Sequence, residues 1–219
     1  KFLRDLRDLS IDPDMNMVIG VTGNGMAHIY VKDSEEGWGK NPGYRQLRKY
    51  PPADGGDIIQ RLAERDSVGL VFAREGDKYH IHSGDGHTVF TRGKSNSDWG
   101  FRYEIKSGRG PLDYPPHLIN AWMNESAWFR ETNSLNYPDT FNQIHKLFMS
   151  DRSGDIIVTA KPGYGFRVQG FKGDHGLLDR QNMVVPLMKA GPGVKKEVRD
   201  GGRTREVYDW IIEIMGEKE

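Results

Sequence analysis

Three histidines form one candidate site in this sequence. His80 and His82 are two residues apart in an apolar run, so on a strand they share a face. His87 returns just past Gly84-Asp85-Gly86, which reads as a hairpin turn. Three imidazoles could hold zinc, but side chains at this spacing more often line a wet sheet face, and that is the expectation here. Gly173-Asp174-His175-Gly176 is a second candidate. It lies on a loop after an apolar strand, where a carboxylate beside an imidazole can ligate or orient a divalent ion and the glycines permit close approach. Taken as four residues, it also reads as a polar turn.

Other motifs are weaker. Thr22-Gly23-Asn24-Gly25-Met26 has a Gly-x-Gly after an apolar strand, but His28 takes the place of a third glycine. The next element reads as a strand, so no helix N-terminus is available for a pyrophosphate. Asp12-x-Asp14-x-Asn16 opens like a calcium loop and then lacks the later Gly and Glu. Asn124-Glu125-Ser126 is a glycosylation sequon that says little without a secretion signal. Lys195, Lys196, Arg199, Arg203 and Arg205 alternate with Glu197, Asp200 and Glu206, the pattern of a solvated face.

Composition narrows the classes. The 219 residues carry 31 Lys+Arg against 31 Asp+Glu, a balance that argues against a nucleic-acid or anionic-membrane partner. There is no cysteine, so disulfides, thiolate metal sites and cysteine nucleophiles are excluded, and the compartment stays open. No apolar run approaches the ~18 residues that span a bilayer.

The elements that would position these residues follow from periodicity. Phe2, Leu3, Leu6 and Leu9 make a helical stripe that begins uncapped at Lys1, as if the chain were part of a longer protein. Met15 to Thr22 reads as a strand buried on both faces, typical of a central parallel strand, and Ala27 to Val31 as a short strand. A polar Gly/Pro-rich stretch from Lys32 to Gly56 precedes a helix at about Asp57 to Arg65. Four β runs follow, from Val68, Tyr79, Thr88 and Phe101, spaced for an antiparallel sheet. Leu118 to Trp128 reads as helical, and Asp139 as the cap of another helix. Asp155 to Ala160 and Met183 to Met188 read as further buried strands. Val207, Trp210, Ile211, Ile214 and Met215 mark a last helix.

The order of these pieces resembles the C-terminal half of the alkaline phosphatase superfamily, in its type I phosphodiesterase/nucleotide pyrophosphatase branch. The residues that carry the likeness are Thr22-Gly23-Asn24-Gly25-Met26, Gly173-Asp174-His175-Gly176, Val185-Pro186-Leu187 with Gly191-Pro192-Gly193, and Arg203-Thr204 through Met215-Gly216. The resemblance implies an α/β fold: a partial core of buried, mainly parallel strands with helices at 1–31 and 151–219, and an inserted α+β cap at 32–150. It also implies metal-dependent hydrolysis of phosphoesters, with two zinc-like ions flanking a Thr or Ser nucleophile. His175 matches a family histidine that ligates one ion, with Asp174 as a second-shell neighbour.

The departures matter as much. Gly23 and Asn24 stand where the family has the Asp and His ligands of the other ion, and the nucleophile would lie upstream of Lys1. Two expectations follow: a hydrolase portion inactive as this chain alone, or a non-catalytic relative serving as a binding or interaction module. Zinc should be weakly held or absent. Partners would be a missing N-terminal half or a second copy, since half an α/β layer leaves strand edges unpaired.

Overall fold

The computed structural model describes residues 14–95, 97–166, 175–188, 190–191 and 201–216. The chain divides into two units, Lys1–Met183 and Val184–Glu219. The expected N-terminal helix lies outside the described residues.

The first unit is built on one eight-stranded sheet. Its strands are β1 (Met17–Thr22), β2 (Met26–Val31), β3 (Val68–Glu75), β4 (Lys78–Ser83), β5 (Gly86–Ser95), β6 (Asp98–Gly108), β7 (Trp122–Asn124) and β8 (Ile156–Ala160). Their order is β1-β2-β8-β3-β4-β5-β6-β7, and every neighbouring pair is antiparallel. This overturns the expected core of mainly parallel strands. β8 pairs with β2 on one side and with β3 on the other, so the segment read as core and the hairpins read as insertion share one sheet.

The physical reason lies in the two faces of the sheet. Met26, Leu70, Phe72, Tyr79, Ile81, Phe90, Phe101 and Ile157 enter one apolar layer, and Ala27, Ile29, Val31, Val71, Ala73, Ile156 and Val158 enter another. A strand covered on both faces reads as a continuous apolar run whichever way its neighbours point. The run Ile156–Ala160 reported double-sided burial, not strand direction.

Helices supply the two covers. Helices α1 (Tyr44–Arg48) and α2 (Ile58–Ala63) pack Tyr44, Leu47, Ile58, Ile59 and Ala63 onto the second layer. Asp57 caps α2, accepting from the Gln60 N–H at 2.9 Å, and its carboxylate also meets Arg48 of α1. Helices α3 (Glu125–Thr132) and α4 (Thr140–Met149) place Trp128, Phe141, Ile144 and Phe148 on the first layer. Phe141 is its centre, with ring centroids 4.6 Å from Phe90 and 4.7 Å from Trp128.

Local expectations met mixed outcomes. The four β runs are β3 to β6, and β4 and β5 are joined at Gly84-Asp85. Asp139 does occupy the cap position of α4, although its carboxylate accepts from the side chains of Asn142 and Gln143. The helix expected from Leu118 to Trp128 is instead a short 3-10 turn, β7 and the start of α3. The strand expected at Met183 to Met188 is not formed: a short helix α5 (Arg180–Met183) ends the first unit, and 184–188 is irregular. Among the described residues β1 is an edge strand, not a buried central one, with Ile19 63% exposed.

In the second unit, helix α6 (Val207–Gly216) forms as its periodicity predicts. Thr204 starts a 3-10 turn leading into it. Among the described residues no helix is long and apolar enough to cross a membrane.

Candidate functional site

β1 and β2 are joined by a tight turn, Gly23-Asn24-Gly25, between the paired residues Thr22 and Met26. Gly23 adopts φ +66°, the left-handed region that side chains other than glycine's rarely enter. The turn is fastened from two directions. The Gly25 carbonyl accepts from Ala160 N–H at the end of β8, and the Asn24 carbonyl accepts from Phe166 N–H, each at 2.9 Å. On the other side, Gly25 N–H donates to the His175 carbonyl at 3.2 Å.

The fold therefore brings together two motifs about 150 residues apart in the chain. His175 lies directly over Gly23: a Cβ added at position 23 would sit 2.6 Å from His175 Nδ1 and closer still to the His175 carbonyl oxygen. A Cβ on Gly25 would meet Leu177 Cγ at 2.5 Å. Asn24 packs its amide against Gly165, where no side chain would fit. Asp174 lies outside the described residues.

These residues do not fit a pair of zinc ions. Glycine offers no ligand atom, the Asn24 amide is a poor zinc donor held against Gly165, and His175 adds one exposed imidazole. Next to this point, a cleft of about 280 Å³ is lined by Asp85, Arg109, Asp113, Lys161, Leu177 and Asp179 among others. Arg109 is already paired with Asp113 at 2.8 Å.

The second candidate, the histidine group, is assembled by the β4–β5 hairpin. His82 lies directly across from His87, and His80 shares their face two residues along β4. The three offer ligand atoms that all lie within 4.8 Å of one another. His80 Nδ1 and His87 Nε2 are 3.1 Å apart. His82 and His87 stack with centroids 3.9 Å apart, and Tyr44 of α1 stacks on His80 at 3.6 Å.

Tyr44 also holds His82. Its hydroxyl accepts from Arg48 Nη1 at 2.9 Å and lies 2.9 Å from His82 Nε2, and with one proton and two lone pairs it can donate to that nitrogen or accept from it. Burial is the chief force on all three rings, with further repulsion from Arg48. It lowers His80 and His82 to about 3 and His87 to about 4, so the cluster is uncharged near neutrality. His80 Nε2 is buried without a hydrogen-bond partner among the described residues, and Glu75 Oε2 at the end of β3 stands 3.6 Å away.

The sequence pointed to the histidines but not to Tyr44, Arg48 or Glu75. Tyr44 and Arg48 fall in a stretch read as a polar excursion, and no local pattern says that it folds back over β4. Asn124, the sequon residue, caps α3 by accepting from Ala127 N–H at 2.9 Å. Arg203 is buried, whereas Lys195, Lys196 and Arg199 lie outside the described residues. No protein-family model, no curated protein and no solved structure matches the chain.

Proposed function

We propose that this chain is the C-terminal portion of a phosphodiesterase/nucleotide pyrophosphatase-like hydrolase whose metal centre is dismantled, and that it does not turn over substrate by itself. One observation supports the reading. The two segments that the resemblance assigns to ion binding, Gly23-Asn24-Gly25 and the segment of His175, are in direct contact despite their separation in sequence. The reading does not rest on sheet topology, because the antiparallel sheet is not the core the resemblance implied.

A second reading, a non-catalytic binding or interaction module, draws on Gly23. Its φ of +66° and the His175 carbonyl above it leave no room for the Asp that an ion would need. On this reading, the position of the missing ligand is closed by its neighbour. The exposed apolar edge β1 is where a partner strand, from a second copy or from a preceding segment of a longer protein, would add. A phosphoester remains the substrate class of the intact centre.

Hydrolysis of bis-p-nitrophenyl phosphate with added zinc tests the first reading. The unmodified chain and its Gly23→Asp/Asn24→His variant should both stay at the background of zinc alone. Removing one electrostatic element of this kind costs about 10²–10³ in rate, and several are missing here. Zinc-dependent turnover by the unmodified chain, abolished by His175→Ala, would overturn it.

A further inference from the structure

We propose that His80, His82 and His87 bind a single zinc ion across β4 and β5, with Glu75 of β3 holding the far nitrogen of His80. The site is separate from the Gly23–His175 contact and does not depend on the phosphodiesterase-like reading. Geometry carries it. Two imidazole nitrogens that share a tetrahedral ion at 2.0–2.1 Å stand about 3.3 Å apart. His80 Nδ1 and His87 Nε2 are already 3.1 Å apart, so an ion can take the place of the proton now shared between them.

A partner for the other nitrogen of His80 is also supplied. Register pairs Ala73 with His80 and Glu75 with Lys78, which puts Glu75 on the same face as the histidines. Its Oε2 is 3.6 Å from His80 Nε2, while its other oxygen holds only a loose pair with the exposed Arg45 at 3.7 Å. The unpartnered, buried His80 nitrogen has no other described group to satisfy it. With the ion on His80 Nδ1, the proton of that ring lies on Nε2 and faces Glu75, whose negative charge offsets part of the ion's. Arg48 nearby is compensated by Asp57.

Binding requires one rearrangement. A metal–nitrogen bond lies in the imidazole plane, so rings stacked 3.9 Å apart and nearly parallel cannot both face one ion. His87 is the less buried of the two and is the ring that tilts, with its Nε2 kept beside His80 Nδ1. His82 can ligate through Nδ1 with its proton on Nε2, donated to the Tyr44 oxygen. That is the usual outer-shell support for a metal-bound histidine. Imidazole also suits copper and nickel, and the commitment to zinc rests on three imidazoles with the fourth tetrahedral position left to water, a set that zinc takes without thiolate.

The test uses the whole chain, stripped with chelator and titrated with zinc by calorimetry and with cobalt by visible absorption. The expected result is one ion per chain at micromolar affinity or tighter, with the intense visible band of four-coordinate cobalt. Glu75→Gln should weaken binding about 10–100-fold, the scale of losses at partners that orient a ligand, and His87→Asn, which removes a ligand, by more. Both sit toward the rim of the sheet, and a thermal melt of each metal-free variant shows whether it is folded. Zinc should raise the melting temperature of the parent chain and of His175→Ala, but not of a folded His87→Asn. Absence of saturable binding, or binding unchanged in folded His87→Asn, overturns the proposal. So does binding that His175→Ala abolishes, which would place the ion at the other candidate.

Discussion

The imidazole of His175 occupies the space that any side chain at Gly23 would need: a Cβ there would lie 2.6 Å from His175 Nδ1. Glycine is required at this turn twice over, by the positive φ and by the neighbour above it. Gly23→Ala should therefore cost about 1–3 kcal/mol, the range for a residue forced into a sparsely populated backbone region. Gly20→Ala on the same strand is the control, since its Cβ would meet Tyr30 only at 3.5 Å. Equal urea midpoints for the two variants would mean that the contact with His175 is not held.

Acid should destabilise the chelated, metal-free protein through the histidine cluster. The folded values near 3, 3 and 4 lie below the ordinary 6.5, so between about pH 6.5 and 4 the unfolded chain binds protons that the folded chain does not. Stability is full above pH 6.5 and falls as pH drops toward the folded values. Tyr44 and Arg48 of α1, Glu75 of β3, Lys78 of β4 and Lys106 of β6 surround the group, and all the cations among them act in the same direction. Urea midpoints across this window should fall less steeply for His87→Asn than for the parent chain. Parallel profiles would show that the cluster charges without cost.

Edge exposure leads to a prediction about assembly. β1 presents Met17 and Ile19 on one face, and among the described residues it is strand-paired only with β2. Light scattering should show association that grows with concentration, and Ile19→Lys should reduce it, because an inserted lysine blunts a strand edge. A parent chain that stays monomeric at high concentration would contradict this.

The hairpins from Val68 to Gly108 were legible because their alternation and the Gly84-Asp85 turn are local signals. The sheet order was not. Nothing in Ile156–Ala160 states that it inserts between β2 and β3, since a doubly buried strand has the same composition in either direction. For the candidate sites, His80, His82, His87 and His175 were visible by residue type and spacing. Tyr44 and Glu75, which complete the histidine group, come from α1 and the end of β3 and are joined to it only by the tertiary fold. Gly23 was visible as a missing ligand, but not as a position closed by its neighbour.

The contact between the β1–β2 turn and the segment of His175 is the point on which the functional reading stands, and the absence of cysteine makes it directly measurable. Gly25→Cys/Leu177→Cys places two thiols where a Cβ now would sit 2.5 Å from Leu177 Cγ, close to disulfide distance, while leaving Gly23 and His175 in place. Mild oxidation of the folded chain should consume both thiols in an intrachain bridge, and the same oxidation in strong urea should form it far more slowly. Two thiols that remain free under native conditions, in a chain whose circular dichroism matches the parent, would contradict the account.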